Sequence, residues 1–264
     1  MQWLVGVYGM YSIKEQLLYE YDEETYQDIN KPINNYAMYL QALYKASDKL
    51  TFNAGVRYDY YDTFGSHISP RLSAVYSLSE KSALKFIYGE AFRAPNGYEL
   101  YYDDDDTQKG NSNLVEEKIE SYEVVWEHHF SKDHSLTLNG FYYKMDDLLR
   151  LTTDPSDDLL VYENLDMAES KGVEIEYKKS WENGVQTAYN YTYQYATDTH
   201  SNEWLVNSPK HLANARISFP FLEKYRTSLS VQYVGEKKTI NDESVNDYLI
   251  SNLSVRGDNL NFRT

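Results

Sequence analysis

Residues 185–196 read VQTAYNYTYQYA, and their alternation decides the fold class. Val185, Thr187, Tyr189, Tyr191, Tyr193 and Tyr195 share one face of an extended chain. Gln186, Ala188, Asn190, Thr192, Gln194 and Ala196 share the other. A two-residue period belongs to a β-strand; a helix repeats every ~3.6 residues. One face is aromatic from Tyr189 to Tyr195, and the other is small or polar but uncharged. A water-soluble sandwich would carry charge on its wet face. Small polar residues opposite a tyrosine stripe instead suit the crowded, wet interior of a membrane barrel, with the stripe against lipid.

The same period recurs outward from this segment. It is read at 2–10, 35–44, 51–61, 67–78, 83–93, 119–130, 136–149, a long segment ending at Ser180, 211–219, 227–234 and 248–255. Leu260 to Thr264 reads as the start of a further strand. Connections at 47–49, 79–81, 131–134, 181–184, 221–224 and 257–259 are short. Those at 12–32, 62–67, 94–116, 152–158, 197–208 and 236–246 are mostly longer and polar. Short and long connections in alternation mean an up-and-down sheet trimmed at one end and elaborated at the other, as in outer-membrane barrels. The expectation is an all-β, antiparallel up-and-down transmembrane β-barrel, present in part, with about a dozen strands of ~9–11 residues each.

Composition agrees. The 264 residues include 28 tyrosines and no cysteine, and the formal net charge is −16. A strongly acidic chain is a poor match for nucleic-acid phosphates. Without cysteine there is neither a disulfide framework nor thiolate chemistry. Tyrosine, apolar in its body and wet at its tip, suits a membrane–water boundary, although a soluble tyrosine-rich sugar-binding β-protein would use it too. No stretch is long and apolar enough for a transmembrane helix. The N-terminus lacks a signal peptide's basic and cleavage regions, so the chain is expected to begin inside a longer protein.

Several stretches, in order, resemble the TonB-dependent outer-membrane receptors. They are NAGVRYDYYDTFGSHISPRLSAVYSL, FRAPNGYELYY followed by GNSNLVEEKIESYEV, YENLDMAESKGVEIEY, and NYTYQYAT with NSPKHLANARISF. The resemblance implies that residues 1–264 are part of a barrel of ~22 strands, without the plug domain, the TonB-contacting box and the last strand. It also implies import of a scarce nutrient across the outer membrane of a Gram-negative cell. The implied partners are TonB with its inner-membrane energising complex, outer-membrane lipid and lipopolysaccharide, and a small molecule such as a ferric siderophore. Cobalamin or an oligosaccharide stands behind the siderophore. A passive porin and a barrel-embedded hydrolase are the readings from other classes. No enzymatic role is expected.

The longest interval without clean alternation is 92–114, reading FRAPNGYELYYDDDDTQKGNSNL, with its connection at 94–116. Arg93, Pro95 and Asn96 are expected to anchor it, because proline removes a ladder donor and stops the strand. Tyr98, Glu99, Tyr101, Tyr102, Asp103, Asp104, Asp105 and Asp106 are the candidate ligand-contacting residues. Four adjacent carboxylates could take Ca²⁺ through hard oxygen ligands, but the spacing matches no EF-hand, so no metal site and no cofactor are assigned. His128, His129 and His134 crowd one turn, yet adjacent strand positions point to opposite faces, against a zinc site. Haem receptors of the same family resemble this chain at FRAP and at the Asn-x-Asn-Leu segment, with a histidine between them. No histidine lies between Pro95 and Asn111 here, so the resemblance implies a cargo other than haem. For a hydrolase, His67, His200 and His211 lie near the loop end without an obvious partner in sequence.

Overall fold

The computed structural model describes residues 2–11, 15–21, 24–31, 33–222, 224–241 and 243–257, with side chains at 2–6 and from 33 onward. The first strands are β1 (Gln2–Tyr11), β2 (Glu15–Tyr21), β3 (Glu24–Lys31), β4 (Asn34–Lys45), β5 (Leu50–Tyr61), β6 (Gly65–Ser79) and β7 (Ser82–Arg93). A short helix α1 (Gly97–Tyr101) and β8 (Gln108–Lys109) follow. Then come β9 (Glu117–Ser131), β10 (His134–Thr153), β11 (Leu160–Ser180), β12 (Gln186–Asp198) and β13 (His211–Phe221). The last are β14 (Tyr225–Val234), β15 (Lys237–Lys238), β16 (Ser244–Val245) and β17 (Tyr248–Gly257).

The hydrogen-bonded order is β1-β4-β5-β6-β7-β9-β10-β11-β12-β13-β14-β17, with β8 attached to β11. Each step joins successive long strands, so the up-and-down topology read from the connections is the observed one. Strand lengths differ from the expectation. They run to 15 residues in β6 and β9, 20 in β10 and 21 in β11, because these strands continue past the spanning segment into the connections. The interval 12–32, read as a polar connection, contains the β2–β3 hairpin, antiparallel and separate from the main sheet. The 62–67 connection shrinks to 62–64, and 236–246 holds the two-residue β15–β16 pair. The strand start expected at Leu260 lies outside the described residues.

The chain divides into two compact units. Unit 1 comprises Met1–Ala74, Ile87–Tyr122 and Tyr143–Glu169. Here β4 and β5 pair in register, setting Tyr36 opposite Tyr60, Met38 opposite Tyr58 and Leu40 opposite Val56. All six of these apolar side chains are exposed. On the opposite face Arg57 grips Asp59 through two nitrogens, Nη2 at 2.7 Å, and Asp59 is only 1% exposed. Gln41 Nε2 donates to Asn53 Oδ1 across the strands at 2.8 Å. This is a sheet with its polarity reversed from that of a water-soluble protein: large apolar side chains are exposed while the Asp59 carboxylate is covered.

Unit 2 comprises Val75–Phe86, Glu123–Tyr142 and Ser170–Thr264. Tyr189, Tyr191 and Tyr193 of β12 are exposed. On the polar face Asn214 donates to Asn190 at 2.9 Å, and Asn139 donates to Glu123 and Glu174 at 3.2 and 3.4 Å. Aromatics mark both ends of β13: His211 lies opposite Tyr193 and Phe221 opposite Tyr225. Ten residues of strand cover roughly 33 Å, or about 25 Å in height at the usual tilt, the depth of an apolar membrane band.

One close approach holds β10, β11 and β12 together in unit 2. A Cβ on Gly172 would run into the Tyr193 carbonyl oxygen and would meet the Phe141 ring at 2.6 Å and Gln194 Cα at 3.0 Å. Two of these three neighbours are backbone and cannot swing aside. Gly172→Val in the full-length parent should therefore cost about 1–3 kcal/mol by overpacking. It should lower the temperature at which the folded species loses its resistance to SDS in gel electrophoresis; an unchanged transition would show that the strands yield there.

Candidate functional site

The long connections of unit 1 are folded, and Arg93 organises them. β7 ends at Arg93, two residues before Pro95, and the chain turns into α1. Asn96 caps this helix: its side chain accepts the Glu99 amide at 3.0 Å, while the Glu99 carboxylate accepts the Asn96 amide at 2.9 Å. This reciprocal capping box satisfies two donors that a helix start leaves orphaned. Glu99 is buried, and Arg93 Nη1 donates to its two oxygens at 3.0 and 3.1 Å. Arg93 Nε donates to Glu117, whose other oxygen accepts the Leu149 amide at 2.7 Å. One guanidinium thus ties β7, α1, β9 and β10 together.

Beside it, His67 is buried with its ring 4.5 Å from that of Phe92. Its Nδ1 lies 3.0 Å from Glu116, which also faces Lys118 at 3.6 Å; Lys118 in turn pairs with Asp147 at 3.2 Å. Nε2 is 3.3 Å from Glu90, within ion-pair range but outside hydrogen-bond geometry. The histidine that lacked an evident partner in sequence is therefore enclosed by two carboxylates. His211, the second, shares a 2.7 Å hydrogen bond with the Tyr191 hydroxyl.

The apolar side of α1 makes a small core. Leu100 and Leu114 are each 2% exposed and cluster with Ile33, with Tyr61, Tyr101, Leu149 and Tyr162 packed around them. A Cβ on Gly110 would lie 2.7 Å from the Leu100 carbonyl oxygen, so only glycine lets the returning chain lie this close to the helix. β8 pairs in parallel with β11, Gln108 opposite Leu160 and Lys109 opposite Val161. Asn111 donates to the Tyr162 carbonyl at 2.9 Å. Asn164 donates to the Val115 and Asp147 carbonyls at 3.0 and 2.6 Å and accepts the Val115 amide at 3.0 Å. The segments that resembled a family in sequence therefore meet one another here.

Of the eight candidate ligand-contacting residues, the structure commits some to the fold. Glu99 is spent on the cap and on Arg93, and Tyr101 on the core. Asp104 accepts the amides of Asp106, Thr107 and Gln108 at 3.2, 2.7 and 2.8 Å, together with the Thr107 hydroxyl. The Thr107 hydroxyl first, and then the backbone amides, hold its carboxyl well below the usual carboxylate range. The four aspartates are thus not one solvated run. Asp104 builds the turn and Asp103 Oδ1 accepts the Asp105 amide within it at 3.0 Å, while the side chains of Asp103, Asp105 and Asp106 are exposed. Tyr98 and Tyr102 stack with ring centroids 4.4 Å apart, Tyr162 stands edge-on to Tyr98 at 6.4 Å, and the Tyr98 hydroxyl donates to Gln108 Oε1 at 3.3 Å. Pro95 is buried and Asn96 exposed at the base. Among the described residues no three of His, Cys, Asp or Glu converge as metal ligands.

Tyr162, Gln108, Lys109, Asp154 and Asn164 were not among the candidate site residues, although Tyr162 and Asn164 lie in a stretch that carried the resemblance. Each acts on a residue about ten to fifty positions away, and no local period signals such a contact. Lys109 is the plainest case, bridging Asp154 and Asp157 at 2.6 Å each.

An antiparallel sheet with an exposed apolar face, a polar opposite face and elaborated connections defines the class of transmembrane β-barrel strands. The family model for the TonB dependent receptor-like β-barrel matches residues 5–263, and the chain belongs to that family. A vitamin B12 transporter of Photobacterium profundum is 27% identical over 85% of this chain, which spans 38% of that protein. An iron-regulated outer membrane virulence protein of Vibrio cholerae is 24% identical over 77% of the chain and 34% of its own length. Among solved structures, a ferric enterobactin receptor from Pseudomonas aeruginosa superposes with a TM-score of 0.75 at 18% identity, covering 87% of this chain and 38% of that one. A siderophore receptor from Acinetobacter baumannii gives 0.70 at 17% identity, covering 85% and 39%. These likenesses of structure establish the fold.

Two outcomes follow for the full-length parent. Arg93→Gln leaves the buried Glu99 carboxylate without its cation and should cost about 1–3 kcal/mol locally. Amide exchange over 97–102 should accelerate, and Arg93→Lys should restore little, since one ammonium cannot replace a forked donor. The Lys109 clasp has a stated pH range. Lys109, then the Ser156 amide, lower Asp154 to about 2, and Asp154 and Asp157 raise Lys109. The depressed carboxyl contributes in full above its ordinary ~3.9 and loses its contribution as pH falls through the lowered value; the raised ammonium contributes in full below ~10.4 and loses it only above that. Protection of the Leu160 amide, corrected for intrinsic exchange, should be flat from about pH 4 to 10 and should fall throughout in Lys109→Met.

Proposed function

We propose that this chain is part of the barrel of an outer-membrane receptor that captures a scarce nutrient at its loop end and passes it inward through TonB-dependent transport. The observation that carries this reading is the built platform at 94–116: a capped helix, its own small core, and a stacked tyrosine pair beside an acidic turn. A connection that merely closed a passive pore would not need such internal support. Tyr98 and Tyr102, with Asp103, Asp105 and Asp106, are the proposed ligand contacts; Arg93, Pro95 and Asn96 position them. The chemistry is binding, not bond-making.

The family imports nutrients, and the relatives point to two kinds of cargo. The vitamin B12 transporter is similar over 85% of the chain, while the fold neighbours that are siderophore receptors support a ferric siderophore, the ligand class expected from sequence. The chain spans well under two thirds of these relatives, so the plug, the TonB contact and the membrane location belong to this proposal. Deleting the full-length gene and measuring uptake of ferric siderophores and of cobalamin tests it. Loss of energised uptake of one of them, restored by the gene but not by a copy carrying Tyr98→Ala and Tyr102→Ala, is the expected result. Uptake that is unchanged for every cargo would overturn it.

A further inference from the structure

We infer that the loop end of unit 1 admits cargo without net negative charge and excludes anionic chelates. This rests on the nutrient-receptor reading above and narrows its ligand class. The connections 62–64, 94–116 and 154–159 hold ten acidic residues and one basic residue, a formal balance of −9 out of the chain's −16. The chain's charge is therefore concentrated in the connections that carry the platform.

Recognition of an anion needs cationic donors that are not already engaged. Among the described residues at this end of unit 1, Lys109 is shared by Asp154 and Asp157, and Arg93 by Glu99 and Glu117. Lys118 faces Asp147 and Glu116, and Arg150 lies 3.1 Å from Asp166. Turning any of these toward an anionic ligand would leave a partly or fully buried carboxylate behind. The exposed Asp103, Asp105 and Asp106 repel an approaching anion over about a Debye length, ~8 Å at physiological ionic strength.

A second observation indicates what the platform accepts. Gln108 is 7% exposed, its Oε1 takes the Tyr98 hydroxyl, and its Nε2 has no hydrogen-bond partner. A buried neutral donor beside two stacked rings suits an uncharged oxygen acceptor, such as a carbonyl or amide on a bulky ligand. Three monoanionic hydroxamates around Fe(III) leave an uncharged complex that presents such oxygens. Three dianionic catecholates leave a negative one.

The test uses the purified full-length parent with three probes: an uncharged ferric trihydroxamate, uncharged cyanocobalamin, and an anionic ferric tricatecholate. At least one uncharged probe should bind, with the tricatecholate about a hundredfold weaker. The triple variant Asp103→Asn, Asp105→Asn, Asp106→Asn should raise the tricatecholate association rate about tenfold at low salt, and high salt should erase the gain. Asp104 is left intact to preserve the turn, asparagine at 103 keeps the oxygen that accepts the Asp105 amide, and asparagine tolerates the positive φ of 61° at Asp105. Tricatecholate binding as tight as that of the uncharged probes, or an association rate indifferent to the triple variant, overturns the charge selection alone. Binding of none of the three overturns the receptor reading, and the charge selection with it.

Discussion

The fork of Arg93 between Glu99 and Glu117 is the contact on which the loop end depends. It closes the base of a long connection at the point where a strand has stopped and a helix has started. Without a cation there, Glu99 would be a buried charge, and the capping box that starts α1 would lose the residue serving it from both sides. Leu100 on α1 and Leu114 on the returning chain are buried in one cluster with Ile33. The stacked tyrosines and the acidic turn are displayed on the same helix and its continuation. Most of the proposed site is thus mechanically downstream of one guanidinium.

The sheet beneath imposes a different constraint. A strand in lipid must satisfy every backbone polar group through its neighbours and present apolar side chains outward. Paired strands with exposed Val56, Tyr58 and Tyr60 and a covered Asp59 obey both conditions at once. The connections do not share the constraint, and there the chain uses helix caps, aspartate turns and charge clasps. Lys109 with Asp154 and Asp157 and the short parallel pair of β8 with β11 fasten one connection to its neighbour without lengthening the spanning sheet. Rigid spanning strands with individually latched connections allow the loop end to vary in chemistry while the sheet stays the same.

The sequence by itself determined the long strands of the main sheet and their up-and-down order, but not their lengths, the β2–β3 hairpin, α1 or the short pairs in the connections. The signal is local, because a two-residue period or a proline after a strand is set by neighbours along the chain. It also showed where the elaboration lies, and the stretches around Arg93, Asn111 and Asn164 were legible as a family resemblance. The roles of those residues were not. That Glu99 caps a helix, that Asp104 serves a turn while Asp105 beside it faces solvent, and that His67 sits between Glu90 and Glu116 were decided only by the tertiary structure. His67 meets Glu116, 49 positions away, only through strand pairing, whereas the Glu99 cap and the Asp104 turn close within four residues and needed the folded backbone to show which carboxylate accepts which amide. A carboxylate's role is set by which donors reach it in space, and four identical aspartates in a row carry no information about that.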